Sequence, residues 1–192
     1  VYVRLESSAT FEDSTLEGNV AKNSGGVAFA ESTGSVALVG GAAIRNRARS
    51  GGAFYVADSS NAEARGGAQI AFNQATVYYG GGIYVSQSTL TLDDVAVDNN
   101  TAPKYGIGSA LYVKESYAWV HDANISGACD ASGATACVDT VAVTVKGSST
   151  VSQLTLDTCV VTAADAAAPV VWTESDLVIR NTDIKQPGGK GG

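Results

Sequence analysis

The sequence predicts an all-β protein, a right-handed parallel β-helix of about seven coils with three strands in each coil. Three observations predict this fold: a short unit recurs at a near-constant spacing, its residues alternate with period two, and like residues occupy equivalent positions of successive copies. Repeats made of short β-branched and aromatic stretches are typical of a solenoid built from strands. Each coil of such a solenoid buries its apolar side against its neighbours.

The recurring unit has six residues and supplies the first strand of each coil. Its copies begin 26 to 32 residues apart. They are GGVAFA at 25–30, GGAFYV at 51–56, GGGIYV at 80–85, GSALYV at 108–113, TVAVTV at 140–145 and APVVWT at 168–173. Alternate side chains of a strand point to opposite faces, so we expect the fourth and sixth residues of each copy to point into the core.

Two further strands follow in each coil, with a tight corner between them. The inward residues of the second strand are predicted at Ala37 and Val39, Leu90 and Leu92, Ala118 and Val120, Leu154 and Leu156, and Leu177 and Ile179. Gly, Asn and Asp tolerate a positive φ. They place the corner at Gly40-Gly41, Gly66-Gly67, Asp93-Asp94, His121-Asp122, Asp157-Thr158 and Arg180-Asn181. The inward residues of the third strand are predicted at Ala42, Ala68, Val95, Ala123 and Cys159, and at Val20, Ile44, Ile70, Val97, Ile125, Val161 and Ile184.

The domain organisation is predicted to be simple. Residues 1–186 are expected to form one parallel β-helix, and residues 187–192 form a Gly-rich tail or linker. The chain contains no Met and begins at Val1, so we expect a segment of a longer protein. No apolar run is long enough to span a bilayer, so no membrane span is predicted in this segment.

Charge and cysteine content narrow the choice of partners and compartment. The net charge is -7, and no basic cluster is expected, so neither nucleic acid nor an anionic membrane is a predicted partner. No cofactor is predicted. Cys129 and Cys137 flank a short Gly/Ala/Ser loop and are predicted to form a local disulfide, while Cys159 falls among small core residues as a buried thiol. This pattern favours an oxidising compartment.

A second motif, an apolar residue followed three positions later by Asn, accompanies the hexamer. It is found as VAKN at 20–23, AIRN at 43–46, IAFN at 70–73 and VDNN at 97–100. Together the two motifs resemble the GGAI and FxxN repeats of chlamydial polymorphic outer-membrane proteins and of similar bacterial, algal and protist surface proteins. The resemblance is best over residues 18–113. It implies an extended β-helical segment displayed outside the cell and used for adhesion.

The Asn residues of the second motif also have a physical role in a stack of coils. We expect Asn23, Asn46, Asn73 and Asn100 to form a structural ladder at one corner. Each side-chain amide would bind the backbone and the amide of the next coil, as Asn ladders do in stacked β-structures.

An aromatic stripe is predicted along one face of the solenoid, because the fifth residue of each hexamer points outward. The stripe consists of Tyr2, Phe29, Tyr55, Tyr84, Tyr112 and Trp172. Two interpretations stay open and are compatible. The rings stack between coils and stabilise the fold, or they form a contact surface for other protein subunits or for surface glycans.

An enzymatic alternative comes from the corner residues. Many β-helices process polysaccharides, and His121, Asp93 and Asp122 are candidate catalytic residues for a lyase or hydrolase. Each residue is also explained by its turn, and no Arg or Lys column is ready to neutralise a uronate. Corner aspartates stacked singly do not make a Ca²⁺ ligand set, so no metal site is predicted. Ranks of outward Thr, as in ice-binding β-helices, do not persist.

The sequence therefore favours a non-enzymatic protein of the extracellular space or cell surface. Asn99 and Asn124 lie in Asn-x-Ser/Thr sequons and are predicted glycosylation sites. We expect a structural and adhesive β-helix, a rigid spacer with an aromatic contact stripe, whose partners are protein subunits or surface glycans. Self-association of the chain is a further expectation.

Overall fold

The computed structural model describes residues 1–103, 108–127, 143–146, 153–162, 171–173 and 176–185. Over these residues the protein is all-β, it has no helix, and its strands pair in parallel as a β-solenoid. The predicted fold class is therefore confirmed. The domain boundary predicted at residue 187 lies outside the described residues.

Most strands are short, and the longer ones run without a break through the corner between the second and third strands of a coil. In chain order they are β1 (Tyr2–Val3), β2 (Ser8–Glu12), β3 (Thr15–Glu17), β4 (Ala28–Ala30), β5 (Ser35–Val39), β6 (Ala42–Ile44), β7 (Arg47–Ala48), β8 (Phe54–Ala57), β9 (Asn61–Ala71), β10 (Gln74–Ala75), β11 (Ile83–Ser86), β12 (Thr89–Asn100), β13 (Leu111–Lys114), β14 (Tyr117–Gly127), β15 (Val143–Lys146), β16 (Gln153–Asp157), β17 (Val160–Thr162), β18 (Val171–Thr173), β19 (Asp176–Arg180) and β20 (Asp183–Lys185).

Successive coils contribute one strand each to a sheet. The first sheet has the order β1-β4-β8-β11-β13-β15-β18 and contains the hexamers. The second has the order β19-β16-β14-β12-β9-β5-β2, with β3, β6, β17 and β20 beside it, and β7 pairs with β10 in a small third sheet. Over the described residues the solenoid has about five turns, slightly fewer than the predicted seven.

The core is filled by the inward residues of the first two sheets. The hexamer columns are buried as predicted from Ala28 to Leu111 and from Val3 to Val113. Leu90 and Leu92 are buried as well, as is the Cys159 thiol, which is free. In the earlier coil the second strand buries Val36 and Leu38, so the expectation for Ala37 and Val39 is wrong by one residue.

Corner length explains that error and a second one. Four residues separate inward Leu38 from inward Ala43, whereas two separate Leu92 from Val95. The inward positions of the early third strands therefore differ from those that a constant corner length predicts. The inward residue is Ala43, which pairs with Ile70, and Ala42 and Ile44 are only partly buried. Val20 is exposed rather than inward.

The predicted corners themselves have the expected backbone. Gly40 and Gly41 have φ of 63° and 64°, and later coils place Asp94 at 55° and Asp122 at 45°. Residues with short polar side chains or none adopt this left-handed conformation at least cost. The described residues include no helix that is long and apolar enough to cross a membrane.

Candidate functional site

The Asn ladder joins successive coils at the corner between the second and third sheets. Asn46 donates from its backbone N and from Nδ2 to Oδ1 of Asn73, at 2.9 and 3.0 Å. Asn73 makes the same two bonds to Asn100, both at 2.9 Å. Each Nδ2 also donates to a carbonyl of the preceding coil, as Asn73 does to Ala43 at 2.9 Å. All three side chains are buried, so these bonds satisfy amides that would otherwise be costly to bury.

The first member of the ladder differs from the prediction. Asn19, not Asn23, donates from N and Nδ2 to Oδ1 of Asn46, both at 2.9 Å. Asn23 is exposed, and only its carbonyl bonds the next coil, accepting from Arg49 N at 2.8 Å. The motif also fits LEGN at 16–19, and Asn19 lies 27 residues before Asn46, the same interval that separates the later ladder members. The motif therefore holds in the first coil, but at Asn19 rather than at Asn23.

The aromatic stripe forms a continuous series of ring contacts. Centroids lie 5.3 Å apart for Tyr2 and Phe29, 5.0 Å for Phe29 and Tyr55, 4.5 Å for Tyr55 and Tyr84, and 5.2 Å for Tyr84 and Tyr112. Such contacts stabilise adjacent coils by about 0.5 to 1.5 kcal/mol per pair beyond burial. Burial is the main cause that raises the pKa of Tyr55 to about 12, and the neighbouring Tyr84 is the second cause.

One member of the stripe is not on the surface. Tyr112 is 3% exposed, which corrects the expectation that every stripe residue faces solvent. The cause is Tyr79, a loop residue absent from the prediction, whose ring stacks on Tyr112 at 4.6 Å. For Trp172 the structure describes the backbone pairing with Thr144 alone. The stripe is therefore largely occupied by its own stacking, with Tyr2 its most exposed described ring.

A second group of aromatic side chains, which the sequence analysis overlooked, lies on the outer face of the second sheet. Tyr117, Trp119 and His121 alternate along β14 and form what we name the open row. Tyr117 is 55% exposed and Trp119 is 42% exposed. The signal was present in the sequence, because inward Ala118 and Val120 require their neighbours to point outward.

The candidate catalytic pair belongs to this open row. His121 Nδ1 lies 2.9 Å from Asp93 Oδ1 of the preceding coil, so the structure brings these two residues together. The hydrogen bond to Asp93 raises the pKa of His121, with smaller contributions from the charges of Asp157 and Asp122. The His121 ring also stacks on Trp119, with centroids 5.3 Å apart. Asp122 occupies the corner at positive φ and is exposed, and it affects the His121 pKa through its charge.

A groove of about 470 Å³ borders the open row at the corner between the first and second sheets. We name it the corner groove; its lining includes Ser59, Ser60, Gln87, Thr89, Glu115 and Tyr117. Behind it runs a serine column that the sequence analysis also missed. The Ser88 hydroxyl accepts from Ser60 N at 3.1 Å, and the Ser116 hydroxyl accepts from Ser88 N at 3.0 Å.

Basic side chains collect at a different corner. Arg45, Arg47 and Arg49 alternate along and beside β7, and all three are exposed, so the expectation of no basic cluster needs correction. Arg45 donates to the Glu17 carboxylate. The Arg49 guanidinium lies 5.3 Å from the centre of the Tyr78 ring, a geometry that favours cation–π attraction.

The remaining predicted sites are placed only in part. Asn99 and Asn124 are exposed, which leaves both sequons accessible. Cys129 and Cys137 lie outside the described residues, so their disulfide stays a prediction. Within the described ranges no group of three or more His, Cys, Asp or Glu is arranged to hold a metal ion.

Comparisons with known proteins give no relative. The chain matches no protein-family model, no curated protein and no solved structure. Function must therefore be argued from the faces of the solenoid itself.

Proposed function

We propose that the chain is a non-enzymatic, extracellular β-helix that serves as a rigid spacer and an adhesive contact surface. The observation that carries the proposal is the internal ladder system. Buried Asn amides and stacked rings link the same positions of successive coils, so neighbouring coils are held in one register. A solenoid of this kind is stabilised by nearest-neighbour contacts along its axis.

Such a scaffold repeats its outward side chains at a fixed spacing of about 4.8 Å. A partner subunit or a surface glycan meets these side chains as rows rather than as a single pocket. The exposed end of the aromatic stripe at Tyr2 supports contact with protein subunits, including further copies of the chain. The resemblance of the GGAI-like and Asn motifs to surface-protein repeats supports display outside the cell.

Sedimentation velocity over a wide concentration range tests this proposal. We expect concentration-dependent association that Tyr2→Ser weakens, because Tyr2 is exposed and its loss leaves the stack from Tyr55 to Tyr112 intact. Tyr78→Ser, which changes a similarly exposed ring that is not a member of the stripe, is the matched control. A monomeric wild-type chain, or an equal effect of both variants, would contradict protein assembly through the stripe.

The second candidate is a polysaccharide lyase or hydrolase, and the 2.9 Å contact between His121 and Asp93 is the observation that favours it. A base oriented by a carboxylate is a recurrent catalytic arrangement. Chain-length analysis of neutral and uronate polysaccharides after incubation separates the two candidates. An enzyme would shorten a polymer and lose that activity on His121→Ala, whereas the spacer leaves every polymer intact.

A further inference from the structure

We propose that the corner groove and the open row together bind a neutral pyranose glycan. The inference deepens the proposed function and rests on it, because it assigns a ligand class and a site to the adhesive surface. It shifts that surface from the aromatic stripe, whose rings cover one another, to the neighbouring face, where the rings are free of ring partners in adjacent coils.

The open row supplies apolar surface for the ring faces of sugars. Tyr117 and Trp119 are two residues apart on one strand, and the row from Tyr117 to His121 spans roughly 13 Å at the rise of a strand. In the coils on either side, Tyr117 pairs with Thr89 and Gln153, and Trp119 with Thr91 and Thr155. These side chains are shorter than the rings, so the rings protrude between them.

A contiguous exposed patch of large aromatic side chains on a sheet face marks an interaction site. A pyranose offers a flat face of C–H groups to such rings and hydroxyls to the polar groups beside them. The hydroxyls of the flanking Thr residues and the Gln153 carboxamide are suited to that second role.

The corner groove supplies the hydrogen-bonding end of the site. Gln87 Nε2 donates to Glu115 Oε2 at 3.1 Å, which positions a carboxamide and a carboxylate side by side in the groove. Ser59 and Thr89 add hydroxyls, and Tyr117 lies in the groove lining, so groove and open row are continuous. Carboxylates and amides that are already oriented by each other accept sugar hydroxyls with little reorganisation.

Ser60 marks a second unusual feature of this groove. It is 1% exposed, lies in the groove lining, and its hydroxyl has no hydrogen-bond partner within the described structure. Its counterparts Ser88 and Ser116 both donate to backbone carbonyls, at 2.9 and 2.6 Å. An unsatisfied buried hydroxyl is uncommon and favours a polar ligand or water at this position.

Charge selects among glycans. The charged side chains around the site nearly balance. Glu115 at the groove lies 4.0 Å from Lys114. At the far end, the column of Asp93, His121 and Asp157 continues to Arg65 on one side and to Arg180 on the other. The chain as a whole has a net charge of -7. A site without an excess of cationic side chains, on a chain of this net charge, favours a neutral glycan over a polyuronate or sulfated polymer. Arg45, Arg47 and Arg49, the exposed arginines beside β7, lie outside the site.

Affinity measurements on the whole chain test the site. Isothermal titration with soluble β-glucan, mannan and galactan oligosaccharides is expected to show binding to at least one of them. Tyr117→Ala and Trp119→Ala are each expected to weaken that binding about tenfold, an effect within the range of a lost ring contact. Tyr78→Ala is the matched control, since Tyr78 is 47% exposed on a different face, and its affinity should stay within about twofold.

Glu115→Gln guards against misfolding, because it changes hydrogen bonding in the groove without removing a ring, and it should weaken binding as well. No binding by any of the neutral glycans, or equal losses for Tyr78→Ala and Tyr117→Ala, would overturn the site. So would preferential binding of polygalacturonate. Cleavage of a bound glycan would instead overturn the non-enzymatic function and leave the binding site standing, and loss of self-association alone would leave both the site and its ligand intact.

Discussion

The aromatic stripe and the open row place aromatic side chains at outward positions of two adjoining sheets, with opposite results. Tyr112 in the stripe is 3% exposed, whereas Tyr117 in the open row, five residues later, is 55% exposed. Tyr112 has Tyr84 in the preceding coil and Tyr79 above it, while Tyr117 has Thr89 and Gln153 as its neighbours. An outward ring of this solenoid is buried where other rings cover it, from an adjacent coil or from a loop.

The difference has a functional consequence. Rings that cover one another bury their apolar surface between coils, so the stripe contributes mainly to the stability of the stack. Rings flanked by short polar side chains keep their surface for a partner. The contact surface is therefore better sought where aromatic residues are isolated in their columns than where they repeat.

Of the variants that test this comparison, Tyr112→Ala should lose the most unfolding free energy. Removing a buried aromatic side chain costs about 3 to 5 kcal/mol of unfolding free energy, whereas an exposed one costs about 0.5 kcal/mol or less. Urea denaturation of Tyr112→Ala and Tyr117→Ala, followed by circular dichroism, measures both values under one set of conditions. Similar losses in the two variants would show that exposure does not distinguish the stripe from the open row.

Tyr79→Ala should produce the next largest effect. The Tyr79 ring covers Tyr112 at 4.6 Å and also lies 6.5 Å from Tyr84, so its removal opens the stripe to solvent. We expect a loss of about 1 to 2 kcal/mol, from one stacked pair and the apolar area it buries. Tyr78→Ala changes the adjacent, exposed residue and serves as the control. An unchanged stability in Tyr79→Ala would mean that Tyr112 is buried without help from the loop.

Much of this arrangement follows from the sequence. The hexamer columns, the positive-φ corners and three of the four ladder positions were predictable, because each depends on local alternation or on a residue with one preferred conformation. Asn73, for example, lies at its predicted ladder position and is hydrogen-bonded to the Asn residues of both neighbouring coils.

Other features depend on the register between coils, which the sequence does not contain. The second strand buries Leu38 rather than Val39, because corner lengths change from coil to coil. The first ladder residue, in contrast, could have been found, since Asn19 lies 27 residues before Asn46, as Asn46 does before Asn73. Tyr79 lies in a loop outside the repeat, so its contact with Tyr112 had no periodic signal. The 2.9 Å distance between His121 and Asp93 follows from the predicted stacking, whereas the continuity of the corner groove with Tyr117 requires the three-dimensional corner.

Thr89→Tyr would convert part of the open row into a covered row, with a smaller effect. Thr89 pairs with Tyr117 in the adjacent coil, so the new ring lies where stripe rings stack. We expect a gain of about 0.5 to 1 kcal/mol, as for an aromatic cross-strand pair, and lower accessibility of Tyr117 to chemical nitration. The control is Thr155→Ser, which removes a methyl group from the same face without adding a ring. A destabilised Thr89→Tyr with an accessible Tyr117 would indicate that this face cannot accommodate stacked rings.

The smallest effect concerns protonation in the open row. The hydrogen bond to Asp93 raises the pKa of His121, so Asp93→Asn should lower it, while Asp122→Asn should lower it less because Asp122 acts only through its charge. NMR titration of the single imidazole measures the His121 pKa in all three proteins.

A raised pKa in the folded state means that the pair stabilises the fold fully below the unfolded His pKa of about 6.5. That contribution is lost as the pH rises through the folded-state pKa, so the wild-type protein and Asp93→Asn should converge in stability above it. Because both side chains are well exposed, the difference at low pH should be small. An unchanged His121 pKa in Asp93→Asn would mean that the pair does not form in solution, and the orientation of His121 would then depend on its stacking against Trp119 alone.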